Sequence, residues 1–318
     1  MNPAAPPSLV LNAALLAVAA WLEEQGYRFT TVTPATHARV NARQGKDVGR
    51  TLRDVFGWSR PFAPGLLPPE ATEPLREAGL LQRTDDGLLR SRVRFSTLGT
   101  RLFAHSAFPT VEEDAVFFGP DTVRFVRVIQ EELQRQPLPA GARIIDVGCG
   151  AGPGGILAAL ASPEPSLWLT DINRRALAFA SANAAHAQCE AQLALSDLFE
   201  AVDGKFDLIV ANPPYLNDAA QRQYRHGGGR WGEALSQRIV REAMERLAPG
   251  GRLVLYTGAA IADGRDSLLE ALREELNTSG QRWTYRELDP DVFGEELEEP
   301  AYADVERIAA VALVLQRH

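Results

Sequence analysis

Apolar positions along the 318-residue chain change their spacing near residue 110, and the change divides it in two. Over residues 9–25 they recur at helical intervals, and Gly26 reads as the C-terminal cap. Residues 33–45 (TPATHARVNARQG) and 49–58 (GRTLRDVFGW) suit a second and a third helix, the latter followed by the proline-rich SRPFAPGLLPPE. Residues 70–79 read as helical and again end at glycine. A period of two then takes over in LLQRTDDGLLRSRVRFSTLGTRLFAHS, residues 80–106, with the turn residues DDG between two extended runs. That pattern predicts a hairpin. Arg90, Arg92 and Arg94 fall on one side of its second run, which reads as a solvated strand face ahead of a phosphate or partner contact. Residues 3–7 (PAAPP) read as a frayed leader.

From Phe117 onward short apolar runs alternate with helical stretches. ARIIDVG, SLWLTD, AQLALSD, FDLIVA, RLVLYTG, WTYREL and ERIAAVALVLQR are the extended runs. Between them lie GGILAALA, a helix starting at Asn173, GEALSQRIVREAMERL and DGRDSLLEALREELN, while a helix after Pro120, with Asp121 placed to cap it, comes before the first run. Strands alternating with helices of roughly 10–15 residues mean crossover units and an α/β fold with a parallel, doubly wound sheet. The boundary near residues 107–113 divides the chain into a smaller domain of helices plus β-hairpin, 1–110, and a larger one, 111–318.

Composition narrows the class. Hydrophobic residues make up 45% and aromatic residues 8% of the chain, as in a soluble globular protein. The apolar stretch 9–22 is too short for a bilayer and lacks a basic flank, so it predicts a core helix and no signal peptide or membrane partner. Two cysteines, Cys149 and Cys189, without metal-ligand spacing point to a reducing cytoplasm. His105, His186 and His226 are isolated, and no metal is expected. The net charge of −8 is uneven. Residues 1–110 hold 13 basic against 9 acidic side chains, a net of +4, which leaves −12 for the remainder. An acidic body argues against a non-specific grip on long nucleic acid, while the basic first part leaves nucleic acid open.

The candidate chemistry sits where strands end. Asp146-Val-Gly-Cys-Gly-Ala-Gly152 follows the first run of the larger domain; Gly148, Gly150 and Gly152 permit a tight turn and close ligand approach, with Cys149 there for packing. The run also fits a dinucleotide fingerprint, which alone is weak. Asp146 suits a ligand ammonium and not a pyrophosphate, which favours S-adenosylmethionine over NAD. Asp171 is placed for ribose hydroxyls and Asp197 for an adenine amino group; Ile172 and Leu198, which follow them, count with them as cofactor-binding. After the fourth run stands NPPY: Asn212, Pro213, Pro214 and Tyr215. Two prolines stop a central strand. They leave an amide oxygen and a backbone carbonyl to accept the two N–H groups of a planar nitrogen, beside an aromatic face. No strong base is needed, because the nitrogen becomes more acidic on methylation.

DxGxGxG, an acid after strand two, Asp197 after strand three and NPPY after strand four together resemble the class I S-adenosylmethionine-dependent N-methyltransferases, and most nearly the release-factor glutamine methyltransferases. The resemblance covers residues 117–318. It implies a Rossmann-like seven-stranded sheet in which ERIAAVALVLQR enters antiparallel between the fifth and sixth strands. It also implies S-adenosylmethionine as cofactor, Asn212 at both the catalytic and the cofactor site, and a pocket bordered by Phe118 and Thr122. The favoured acceptor is a protein glutamine; a nucleobase (adenine N6 or guanine N2), a metabolite and a non-catalytic S-adenosylmethionine-binding role are the alternatives. An NAD oxidoreductase is disfavoured, since no Tyr–Lys or His relay is present. Residues 1–110 depart from the small helical bundle of the release-factor enzymes. The glycine-rich QYRHGGGRWGEALS, with Tyr224 and Trp231, reads as a mobile flap or a surface loop, and DPDVFGEELEEPAYAD as a solvated loop.

Overall fold

The computed structural model describes residues 9–110, 112–218, 222 and 224–318. The proposed leader at residues 3–7 lies outside them, as do residues 221 and 223 of the glycine-rich segment. The first part holds α1 (Leu9–Glu24), α2 (Pro34–Asn41), α3 (Leu52–Phe56), α4 (Pro69–Glu77), β1 (Leu81–Arg83), β2 (Leu89–Ser91), β3 (Val93–Leu98) and β4 (Arg101–Ser106). Thr33 and Thr51 cap α2 and α3 with their side chains, and Gly26, at φ +66°, lets the chain turn away from α1.

The predicted hairpin is two hairpins. β1 pairs with β2 across Asp85-Asp86-Gly87, and the second run breaks at Arg92 before β3 turns through Gly99 and Thr100 onto β4. The three arginines therefore share no solvated face. Arg92 is exposed, Arg90 half-buried and Arg94 only 4% exposed, because the segment after α1 lies along β3 and Phe29 exchanges hydrogen bonds with Thr97.

The second part runs α5 (Pro120–Arg135), β5 (Arg143–Val147), α6 (Pro153–Leu160), β6 (Ser166–Asp171), α7 (Arg174–His186), β7 (Gln192–Leu195), β8 (Phe206–Ala211), α8 (Ala234–Arg246), β9 (Leu247–Ala262), β10 (Arg265–Asp266), α9 (Ser267–Thr278), β11 (Arg282–Asp289) and β12 (Arg307–Gln316). The main sheet has the order β11-β12-β9-β8-β5-β6-β7, with β10 paired to β9. β9, β8, β5, β6 and β7 are parallel, and β12 enters antiparallel between β9 and β11, as the resemblance implied. The strand order reverses between β5 and β8, where ligands bind at the carboxyl ends in such sheets.

Alternate residues of each central strand feed opposite faces. Ile145, Ile209 and Leu253 pack under α8 and α9, whereas Ile144, Leu208, Val210 and Val254 join the other cluster. That second cluster continues without interruption into Leu15, Phe29, Phe95 and Phe103 of the first part. α1 packs on α7, where Asn12 donates to Ser181 at 2.9 Å. Asn183, 3% exposed on α7, accepts from the Ala104 N–H at 2.8 Å and donates to the carbonyls of Ala104 and Ala151 at 2.9 and 2.8 Å. One amide thus joins β4, α7 and the glycine turn.

Candidate active site

β5 delivers Asp146 beneath the glycine turn, and the turn opens α6. Gly148 and Gly150 adopt φ of +67° and +55°, where a side chain is strained. Asp146, 1% exposed, accepts the Gly155 N–H at 2.7 Å and meets no cation among the described residues. Burial, with Asp171 adding to it, pushes its pKa up to about 7. Asp171 ends β6, accepts the N–H groups of Gly150 (2.9 Å) and Asn173 (2.8 Å), and is raised by desolvation as well. Two partly compensated carboxylates suit a cationic ligand and repel a pyrophosphate.

A cavity of about 170 Å³ lies against these groups. Asp146, Gly148, Gly150, Asp171, Ile172, Asp197, Leu198 and Asn212 all line it. Gly152 does not; at φ +82° it starts α6, and it packs against Ile156, Ala180 and Leu169. Ile172 is 54% exposed at the rim. Both oxygens of Asp197 accept from Arg238 at 2.9 and 2.8 Å, so its carboxylate is already engaged. Cys149 lines the cavity too, but burial and the two acids push its thiol well up, which leaves it a packing group. The residues present fit S-adenosylmethionine: two buried carboxylates that can accept from a cationic or hydroxyl-bearing ligand, and a glycine turn that allows close backbone contact.

A second cavity of about 70 Å³ adjoins the first, and Phe117, Asn212, Pro214 and Tyr224 line both. β8 ends at Ala211, directly before Asn212. Among the described residues the Asn212 side chain makes no hydrogen bond and the Pro213 carbonyl accepts none. Tyr215 lines this cavity with its ring against Gly258, where a Cβ would sit 2.3 Å from its Cδ2, and edge-on to Phe293 at 5.8 Å. Its hydroxyl is buried near Asp121, and desolvation, then that negative charge, raise its pKa well above the usual phenol value.

Several placements differ from those read in the sequence. Asp121 does not cap α5: Gly119 is the N-cap, and the Thr122 hydroxyl accepts the Gly119 N–H at 3.2 Å. Asp121 lies in the first turn, where it accepts from the Tyr256 hydroxyl at 2.6 Å, pairs with Arg124 at 3.2 Å and lines the second cavity. Burial raises its carboxyl pKa, with the Tyr256 hydrogen bond and Arg124 opposing. Thr122 lines the first cavity, whereas Phe118 stacks on His105 and Phe117 takes the lining position. Phe117 faces Tyr224 with ring planes 8° apart and centroids 6.3 Å apart. Tyr224 was marked only as part of the glycine-rich segment, and Phe117 only by an apolar pair ahead of a helix-opening proline.

The glycine-rich segment lies on the NPPY loop. A Cβ on Gly227 would meet the Pro214 carbonyl at 2.5 Å, and one on Gly232 the Tyr215 carbonyl oxygen at 2.3 Å, so these glycines permit backbone contact. Tyr224 donates to the Thr110 carbonyl at 2.7 Å, and Arg225 pairs with Glu296. The acidic connection is not a solvated loop throughout. Val292, Glu296 and Tyr302 are buried, and the Tyr302 hydroxyl accepts the Asn217 N–H at 2.7 Å. It folds over the acceptor loop because its apolar and aromatic positions pack there. Among the described residues no helix is long and apolar enough to cross a membrane, and no group of three or more potential metal ligands occurs.

The chain is 32% identical over 190 residues to a release factor glutamine methyltransferase of Koribacter versatilis, covering 55% of this chain and 62% of that one. It is 36% identical over 121 residues to a ribosomal RNA small subunit methyltransferase C of Pasteurella multocida, covering 38% and 34%. It is 35% identical over 174 residues to a ribosomal protein uL3 glutamine methyltransferase of Bordetella pertussis, covering 45% and 58%. The chain thus spans less than two thirds of the length of these relatives. The family profile described as "Methyltransferase small domain" matches residues 124–282, from α5 to the start of β11 and across both cavities, and the chain belongs to that family.

Proposed function

We propose that this chain transfers a methyl group from S-adenosylmethionine to a planar nitrogen held by Asn212 and Pro213. The observation that carries the reading is an Asn212 amide and a Pro213 carbonyl without hydrogen bonds among the described residues, Asn212 bordering both cavities and Pro213 the second. Bound in the first cavity, S-adenosylmethionine supplies an electrophilic methyl on a sulfonium. The Asn212 oxygen and the Pro213 carbonyl each accept one N–H, which fixes the nitrogen and favours a geometry that exposes its lone pair. Because the prolines stiffen the loop, those acceptors need little reorganisation. The nitrogen–carbon bond forms as the carbon–sulfur bond breaks, and the methylated nitrogen then yields its proton to water. Position and electrostatics do most of the catalysis.

The acceptor in this reading is a protein glutamine. The second cavity, less than half the size of the first, suits a side-chain amide, and the alignment to the release factor enzyme is longer than that to the ribosomal RNA enzyme. A second reading, a nucleobase amine, is favoured by the parallel Phe117 and Tyr224 rings, since every base offers a face for stacking. Residues 1–110 serve in either case to select the acceptor. Tritiated S-adenosylmethionine with fractionated protein, ribosomal RNA, DNA and metabolites decides between them: label in protein supports glutamine, and label in RNA alone overturns it. Asn212→Ala is expected to lower transfer by about 10²–10³-fold, with a much smaller loss of cofactor affinity from its place in the donor cavity. Normal transfer by that variant sinks the catalytic assignment.

A further inference from the structure

A cavity of about 240 Å³ opens on the first part of the chain and shares no residue with the two already described. Its walls carry Lys46, Arg60 and Arg90 against a single acid, Asp47. Arg60 is occupied: it pairs with Asp54, and its Nε donates to Asn41 Oδ1 at 2.9 Å. Lys46 and Arg90 pair with no carboxylate among the described residues, and Arg90 Nε is buried without an acceptor.

Asn41 sets the chemistry of its neighbour. With Oδ1 held by Arg60, its Nδ2 donates to the Trp58 carbonyl at 2.9 Å and faces His37 Nδ1 at 3.4 Å; in the tautomer whose Nδ1 accepts there, the ring proton sits on Nε2. His37 is 3% exposed, lines the cavity, and its Nε2 has no partner. Burial and then the positive charge of Arg94 lower its pKa to about 4. Arg94 itself is buried, with Nε and Nη2 lacking acceptors. Ser59 Oγ accepts the Phe108 N–H at 3.1 Å, which leaves its O–H to donate. Orphaned buried donors are costly, and an oxyanion in this cavity offers an acceptor to those on its walls, His37 and Arg90, while Arg94 lies outside the lining.

We propose that this cavity binds a phosphate group, with Arg90 and Lys46 supplying charge and the His37 and Ser59 donors supplying orientation. An adjoining cavity of about 160 Å³ shares Arg90, Phe108 and Pro109 with it and reaches Ala115, which also lines the methyl-donor cavity. The site stands on its own donors and does not rest on the methyl-transfer reading.

Calorimetry of the full chain tests it, with sodium phosphate against sodium chloride at equal ionic strength. Saturable binding of phosphate alone is expected, weakened at least tenfold in the Lys46→Gln/Arg90→Gln double variant and partly restored by Arg90→Lys. Circular dichroism of each variant checks that it is folded. Absence of a phosphate signal, an equal signal with chloride, or an unchanged affinity in the folded double variant overturns the proposal. A single-stranded oligoribonucleotide without terminal phosphates then separates the sources. A parallel loss of affinity in the double variant, with the salt slope reduced by about one to two, assigns a nucleic-acid phosphodiester. Loss of phosphate binding with RNA binding unchanged assigns a free phosphate or phosphate monoester.

Discussion

Asp146 is buried and meets no cation among the described residues, and burial above all makes it a titrating group near neutrality. Its folded pKa of about 7 means that the unliganded site is partly protonated there. A cationic ligand beside it favours the ionised form, so binding expels a proton and affinity rises with pH until the carboxyl is fully ionised. S-adenosylmethionine is therefore expected to bind more tightly as pH rises from 6 to 7.5, by up to about tenfold per unit, in calorimetric titrations. Asp146→Asn should flatten that rise; a slope that persists would place the titration elsewhere. Asp146 was legible in the sequence because an acid that opens DxGxGxG at a strand end has few other uses. Phe117 and the orphaned His37 were not, since their roles arise from neighbours distant along the chain.

Among the elements, β9 matters beyond its place in the sheet. Gly258 leaves the space that the Tyr215 ring fills, and a methyl group there would push the ring toward the acceptor cavity. Gly258→Ala is expected to cost about 1–3 kcal/mol by overpacking, and to lower the rate of methyl transfer more than cofactor affinity. Thermal melts, steady-state kinetics and cofactor titration read the three quantities. Strand ends could be read in advance because apolar runs and prolines mark them locally, whereas the antiparallel entry of the last strand was implied only by the family resemblance. The second hairpin could not: Leu98-Gly99-Thr100-Arg101 lacks an Asn-Gly or Asp-Gly pair, and the apolar alternation continues around it. The acidic connection misled for a related reason. Its many carboxylates face solvent, yet Val292, Glu296 and Tyr302 turn inward.

Across the whole molecule one hydrophobic cluster runs from α1 and the hairpins into the sheet, so the change of pattern near residue 110 is not a gap in the core. Asn183 is the polar tie in that region. Asn183→Ala strands the Ala104 N–H and two carbonyls and should cost about 1–3 kcal/mol, read as a lowered midpoint in denaturant. An unchanged midpoint would mean that water replaces the amide without loss. The same side chain touches the backbone of the glycine turn at Ala151 and of β4 at Ala104. A methyl donor that stiffens the turn is thus expected to slow hydrogen–deuterium exchange at the Ala104 amide, in a strand the donor never touches. For anyone building chimaeras, the first 110 residues are not a detachable cassette: an exchange that ignores residue 183 leaves the donor site resting on a mismatched neighbour.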